Sequence, residues 1–162
     1  MPAMPKRSAD MQIRLDDLTG GEVIALLQEH LADMYATSPA ESVHALDVDA
    51  LKASHIRFFS AWQDDVLAGC VAIKMLDSKL AELKSMRTAT AFRGKGVGQA
   101  LLQFIIDHAK AQGFTSLSLE TGTQDYFTPA RALYRKFGFS DCGPFGQYKL
   151  DPNSHFMTLK LR

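Results

Sequence analysis

The stretch Arg93-Gly94-Lys95-Gly96-Val97-Gly98 decides how this chain is read. It follows a segment of strand character at residues 80–88. It opens one in which Val97, Leu101, Leu102, Ile105, Ile106 and Ala109 fall on a single helical stripe. Lys110 near the end and Gly113 beyond it mark where that helix stops. A strand that ends in a glycine-rich turn and feeds a helix aims backbone N–H groups outward at the positive end of the helix dipole, and so forms an anion cradle. Gly94, Gly96 and Gly98 supply backbone angles closed to other residues and let phosphate oxygens approach the main chain; Arg93 and Lys95 can add charge from the sides. Two familiar phosphate motifs do not fit. The Walker pattern is absent. The dinucleotide fingerprint would need glycine where Gln99 stands, and would sit in the first strand-to-helix turn rather than beyond the middle of the chain.

Upstream, residues 11–16 alternate apolar and polar as a half-buried strand does, and Gly20-Gly21 breaks the chain. A helix at residues 22–35 carries Val23, Ile24, Leu26, Leu27, Leu31 and Met34 at helical spacing, and Ser38-Pro39 ends it. A polar segment to Asp47 and a short helix at 48–55 precede a β-hairpin of residues 56–63 and 66–76, which turns at Asp64-Asp65. Downstream, residues 114–121 alternate Leu117 and Leu119 with Ser116, Ser118 and Glu120. Thr128-Pro129 reads as an N-cap followed by proline at the first helical position; that helix runs to Phe137, and Gly138-Phe139 closes it. Two strands, at about residues 139–150 and 155–161, finish the chain around the turn Asp151-Pro152-Asn153-Ser154. The order predicts an α/β fold: a mixed, partly parallel central sheet of about seven strands with helices on both faces. The β-α-β connection through Val97 to Thr121 should be a right-handed crossover.

A chain of 162 residues with 46% apolar and 22% charged residues has the composition of a globular protein of one domain, residues 11–162, preceded by a flexible extension at 1–10. Eighteen basic residues balance eighteen acidic ones, which leaves no global field to hold a nucleic acid, so any anion site must be local. No apolar run approaches the roughly 20 residues that span a bilayer, and the first ten residues lack the apolar core of a secretory signal; a cytoplasmic protein is expected. Cys70 and Cys142 read as small buried hydrophobes rather than a disulfide framework or a metal site. The five histidines show no paired spacing, so no metal is expected.

Arg93, Gly96 and Gly98, with Gly94 and Lys95 between them, resemble the signature of the GNAT superfamily of acetyl-CoA-dependent N-acetyltransferases: Arg or Gln, two residues, Gly, one residue, Gly or Ala. Ala132-Leu133-Tyr134-Arg135-Lys136-Phe137-Gly138-Phe139 is similar to the ending of that superfamily's fourth helix. The likeness spans residues 80–139 at the level of motifs and residues 11–161 by order of elements. It departs where the family often has Val then Pro and this chain has Thr88 and Thr90. The resemblance implies a GNAT-like fold and acetyl-CoA as cosubstrate. The backbone of Lys95, Gly96, Val97 and Gly98 would hold the pyrophosphate, flanked by Arg93 and Gly94. The main chain around Met86, Arg87 and Thr88 would pair with the pantetheine arm as an added strand.

A thioester that loses its acyl group leaves a thiolate, and a phenol beside the sulfur can donate to it; Tyr134 is that candidate. An amine attacks only when unprotonated, so a carboxylate must take its proton, directly or through water. Glu82, on the strand before the cradle, is the preferred base and Glu120, at the end of the next strand, is the rival. By the same resemblance, the segment 38–47 and the turn 151–155 border the acceptor. Glu41, His44, Arg87 and His155 are its candidate contacts. Arg87 or Lys84 would suit an acceptor carboxylate, whereas Glu41 and Asp47 would suit a polyamine or lysine. The expected partner is a small-molecule amine or amino acid, attacked directly in a ternary complex, with the final strands supplying the edge for a homodimer. A non-catalytic acetyl-CoA sensor, or an enzyme that acetylates a protein lysine or N-terminus, are the alternatives.

Overall fold

A computed structural model describes residues 11–161; the expected extension at residues 1–10 lies outside the described residues. Seven strands form one sheet: β1 (Gln12–Leu15), β2 (Ile56–Gln63), β3 (Val66–Met75), β4 (Leu80–Thr88), β5 (Ser116–Gly122), β6 (Ser140–Asp141) and β7 (Ser154–Lys160). Their order is β1-β2-β3-β4-β5-β7-β6, with β4 and β5 parallel and every other neighbouring pair antiparallel. The parallel pair encloses the crossover helix α3 (Val97–Ala111), whose six striped residues are all buried. Burying a Leu or Ile side chain fully is worth roughly 1.5–3 kcal/mol, so this stripe fixes the helix on the sheet. Together with α4 (Thr128–Lys136) it covers one face, in a core with Val71, Ile73, Leu83, Leu117, Leu119 and Met157. The other face packs Phe58, Cys70 and Ala72 against Leu26 and Leu27 of α1 (Gly21–Thr37) and Leu51 of α2 (Val48–Leu51). No helix among the described residues is long and apolar enough to cross a membrane.

Both helices of the first face end in the same way. Gly113 and Gly138 adopt positive φ (89° and 99°), and the next residue, Phe114 or Phe139, donates its N–H back across the last turn to Ala109 or Tyr134 and buries its ring. Glycine alone reaches that conformation without strain.

The second helix is shorter than expected, and three-residue 3-10 turns at 40–42, 90–92 and 125–127 were not anticipated. Thr128 is the first helical residue rather than the cap, because the turn at 125–127 runs straight into the helix; its hydroxyl instead accepts from Arg131. The strand expected over residues 139–150 is only β6. Pro144 cannot donate to a ladder and Gly146 has φ 57°, so the chain leaves the sheet and crosses its end as an irregular loop.

Two irregularities in β4 shape the functional region. β3 and β4 pair as Ala72↔Lys84 and then Cys70↔Arg87, so Ser85 and Met86 bulge opposite Val71, with Ser85 at φ 54°. β4 and β5 pair only through Leu80↔Ser116, Ala81↔Leu117 and Glu82↔Ser118. Beyond Glu82 the two strands run on unpaired and open a cleft in the middle of the sheet.

Candidate active site

The cleft widens into a cavity of about 650 Å³ lined by α1, β4, the glycine turn, β5, α4 and the segment after α1. At one end lies the cradle. Gly94 and Gly96 sit at φ 75° and 84°, and Gly96 holds the capping position of α3 without any side-chain cap. The first N–H groups of a helix have no partner within it, so here they remain available to a ligand. A Cβ at Gly94 or Gly96 would meet no atom within 4 Å, so open space lies outside the turn, whereas one at Gly98 would press within 3.4 Å of Leu133. These features fit a diphosphate: a bare helix N-terminus of fifteen residues, open approach, and a cleft leading inward. Arg93, Gly94, Gly96, Val97 and Gly98 line the cavity, as do Met86, Arg87 and Thr88; Lys95 is outside it, its ammonium 5.7 Å from the centre of the Phe92 ring.

Tyr134 lines the cavity from α4. Its ring is 6% exposed and packs 5.8 Å from that of Phe139. The phenol has no hydrogen-bond partner among the described residues, and burial pushes its pKa well above the usual tyrosine range, so the group stays protonated.

The two carboxylates differ in their surroundings. Glu82, 2% exposed, accepts from Lys84 Nζ at 3.2 Å and from the hydroxyl of Tyr148. Lys84 also donates to Tyr148 Oη at 2.9 Å, and burial followed by the Glu82 charge pushes the Tyr148 phenol up. Tyr148 sits in the irregular loop, ringed by His44, Phe145 and Phe156 at 5.1, 5.1 and 5.5 Å. Glu120 is pushed up to about 7, chiefly by burial; nearby Ser154 and the Lys84 charge pull it down, and the charges of Glu82 and Asp151 push it further up. One carboxylate thus holds two donors on its Oε2, and the other has its pKa raised to near neutrality.

Of the expected acceptor contacts, His44 lines the cavity and packs edge-on to Tyr148. Arg87 also lines it, but its Nη2 donates to Glu29 and Asp33 of α1 at 2.5 Å each. Glu41 is exposed on a 3-10 turn, and His155 bonds Asp141 at 2.9 Å; neither lines the cavity. Three residues were missed: Tyr148, assigned to a strand, which lies behind the lining residues Glu82, Lys84 and His44; and two that line the cavity, His30, read only as a helix residue, and Ser42, which donates to Asp151 at 2.7 Å and ties the segment after α1 to the turn before β7. No local pattern marks any of them, since each is defined by contacts with distant residues.

The family model of the acetyltransferase (GNAT) family matches residues 23–139. The chain belongs to that family. As an acyltransferase it has relatives of nearly its own length. It is 52% identical over 151 residues to YsnE, an uncharacterized N-acetyltransferase of Bacillus subtilis, covering 93% of this chain and all of the relative. It is 42% identical over 141 residues to an IAA acetyltransferase of Azospirillum brasilense, covering 86% and 89% of the two chains. A candidate acyl-CoA N-acyltransferase of Klebsiella pneumoniae has the same fold at a TM-score of 0.77 and 25% identity, over 96% of this enzyme and 100% of that chain. A GNAT acetyltransferase of Elizabethkingia anophelis, solved with acetyl-CoA bound, superposes at 0.68 with 18% identity, over 93% and 98%.

Proposed function

We propose that the enzyme acetylates a primary amine of a small molecule by direct attack, with Glu120 as general base and Tyr134 as the donor to the leaving sulfur. Acetyl-CoA is the cosubstrate and supplies an activated thioester when bound. The backbone N–H groups of Gly96, Val97 and Gly98 would hold its diphosphate, that of Lys95 being already given to the Phe92 carbonyl, and the edge of β4 left free by β5 at Met86 to Thr88 would bind an extended amide chain as a further strand. The observation that carries the assignment is the contrast between the carboxylates. Glu82 already accepts from Lys84 and Tyr148, whereas Glu120 lies in the same cavity with its pKa pushed to about 7. A base is most effective when its pKa lies near the working pH.

Glu120 takes a proton from the amine, directly or through one water, as the nitrogen forms its bond to the acyl carbon. The carbon–sulfur bond then breaks and the Tyr134 hydroxyl donates its proton to the sulfur, to be replaced from solvent. Cys70 takes no part, because burial pushes its thiol to about 12 and its Sγ donates to the Ser85 carbonyl. Much of the acceleration would come from positioning within the cleft.

Two measurements on the purified protein test this. Coenzyme A should raise its melting temperature, and thiol release should appear with acetyl-CoA and members of a broad amine panel that includes lysine peptides. Absence of the thermal shift would overturn the donor site. A shift without thiol release from any amine would leave a binding domain, and turnover confined to peptides would move the acceptor class.

A further inference from the structure

Three polar atoms that line this one cavity are buried and have no hydrogen-bond partner: His30 Nδ1 from α1, Ser85 Oγ from the bulge of β4, and Arg87 Nε from just beyond it. A buried donor or acceptor left unpaired is costly, and the great majority of such groups in folded proteins are satisfied. Arg87 is 7% exposed, so its orphaned N–H cannot be credited to bulk solvent. Its side chain turns to the α1 face of the sheet, where Glu29 and Asp33 hold it. Arg87 and His30 therefore border the cavity from the α1 side, and Ser85 joins them there from the bulge of β4.

The charges around them are already matched. The Arg87 guanidinium faces two carboxylates, Glu29 and Asp33, and Lys84 faces Glu82. Arg93, the remaining cation of the lining, is exposed at the cradle. His30 is neutral across the physiological range, since burial first and the Arg87 charge second lower its pKa to about 4. An anionic group placed here would compete with Glu29 and Asp33, which already hold the Arg87 guanidinium and the second of which also feels the Arg93 charge. An uncharged group carrying both a hydrogen-bond acceptor and a donor has no such penalty. A carbonyl oxygen can accept from Arg87 Nε, and an N–H or O–H can donate to Ser85 Oγ or to the ring of His30.

We propose that His30, Ser85 and the Nε of Arg87 form a neutral polar subsite for the acceptor, so that the enzyme selects amines bearing an uncharged carboxamide-like or hydroxyl group over amines bearing a carboxylate. This rests on the acetyltransferase reading above for the site, and it removes the carboxylate-binding role expected of Arg87 and Lys84.

The test uses matched pairs: glycinamide with glycine, and leucinamide with leucine. Initial rates of thiol release are expressed per unprotonated amine, which cancels the lower basicity of the amides. The amide should have the higher kcat/KM by about tenfold, the size of one net hydrogen bond. His30→Ala and Ser85→Ala should each bring the ratio toward one by raising KM for the amide, with KM for acetyl-CoA unchanged. Ser85→Ala removes a single oxygen, so it stands should His30→Ala fail to fold. Equal or better use of the free amino acids would overturn the subsite, as would a preference that survives in both variants. Calorimetric titration of the same pairs into protein saturated with coenzyme A reads the preference without turnover. A protein that releases no thiol would then sink the functional reading alone, while equal binding of amide and acid would sink this one.

Discussion

The two ends of the cavity are built on different principles. The proposed donor end is local: the glycine turn, the start of α3 and the end of β4 lie within a short run of sequence, and what it offers a ligand is backbone N–H. The acceptor end is assembled from side chains far apart in the chain. Tyr148 meets Glu82 across 66 positions, Ser42 meets Asp151 across 109, and Arg87 meets Glu29 across 58. A backbone site is set by where glycine is allowed, so substitution around it changes little. A side-chain site can be rebuilt residue by residue without touching the cofactor, which lets one fold serve many acceptors.

Variants at the two ends should therefore separate in kinetics. The largest effect is expected where both substrates meet. Glu120→Gln should lower kcat by roughly 10²–10⁴-fold, the usual yield of general base catalysis, and the acid limb of kcat/KM near pH 7 should vanish. Retention of that limb would hand the base to another group. The same variant carries a stability signature with a definite sign. A carboxyl whose pKa is raised in the folded state loses stability as pH climbs from its ordinary value near 4.5 toward 7, so Glu120→Gln should be the more stable protein at pH 8, by an amount on the order of 2 kcal/mol, with little gain at pH 4. Thermal unfolding at the two pH values reads it.

Tyr134→Phe should lower kcat by about tenfold and leave KM for acetyl-CoA unchanged, because thiolate is a good leaving group and the hydroxyl has no structural partner to lose. An unchanged kcat would remove it as the proton donor. On the donor side, Gly96→Val forces a branched side chain to φ 84°, a strain on the order of 1–3 kcal/mol, and should raise KM for acetyl-CoA with a smaller change in KM for the amine. Equal loss for both substrates would erase the division between the two ends. The smallest effect is expected from Lys84→Met. Removing that cation takes away one of the influences that hold Glu120 down, so the acid limb should move to higher pH by less than about one unit.

The same division explains what could be read from the sequence. The stripe on α3, the glycine closures at 113 and 138, and the β2–β3 hairpin follow from spacing and from the few residues that tolerate positive φ, and these set the fold. The cradle was legible for the same reason. Tyr148 was not, because Pro144 and Gly146 take its segment out of the sheet and nothing local says where an irregular loop comes to rest. The two carboxylates look alike as letters. Only the placement of Lys84 and Tyr148 against Glu82, and the burial of Glu120 without such donors, tells them apart. Arg87 looked free for a ligand until α1 placed Glu29 and Asp33 over it.

The sheet that carries all this is mechanically two plates. Strands β1 to β4 form one and β5, β7 and β6 the other, joined within the sheet by three residue pairs between β4 and β5 and beneath it by the core under α3. A molecule lying in the open seam would stitch the plates together along the length they do not share. Amide hydrogens of residues 86–88 and 120–122 should then exchange more slowly in its presence, and the protein should stiffen as a body. Emptying the cleft after each turnover would restore its compliance.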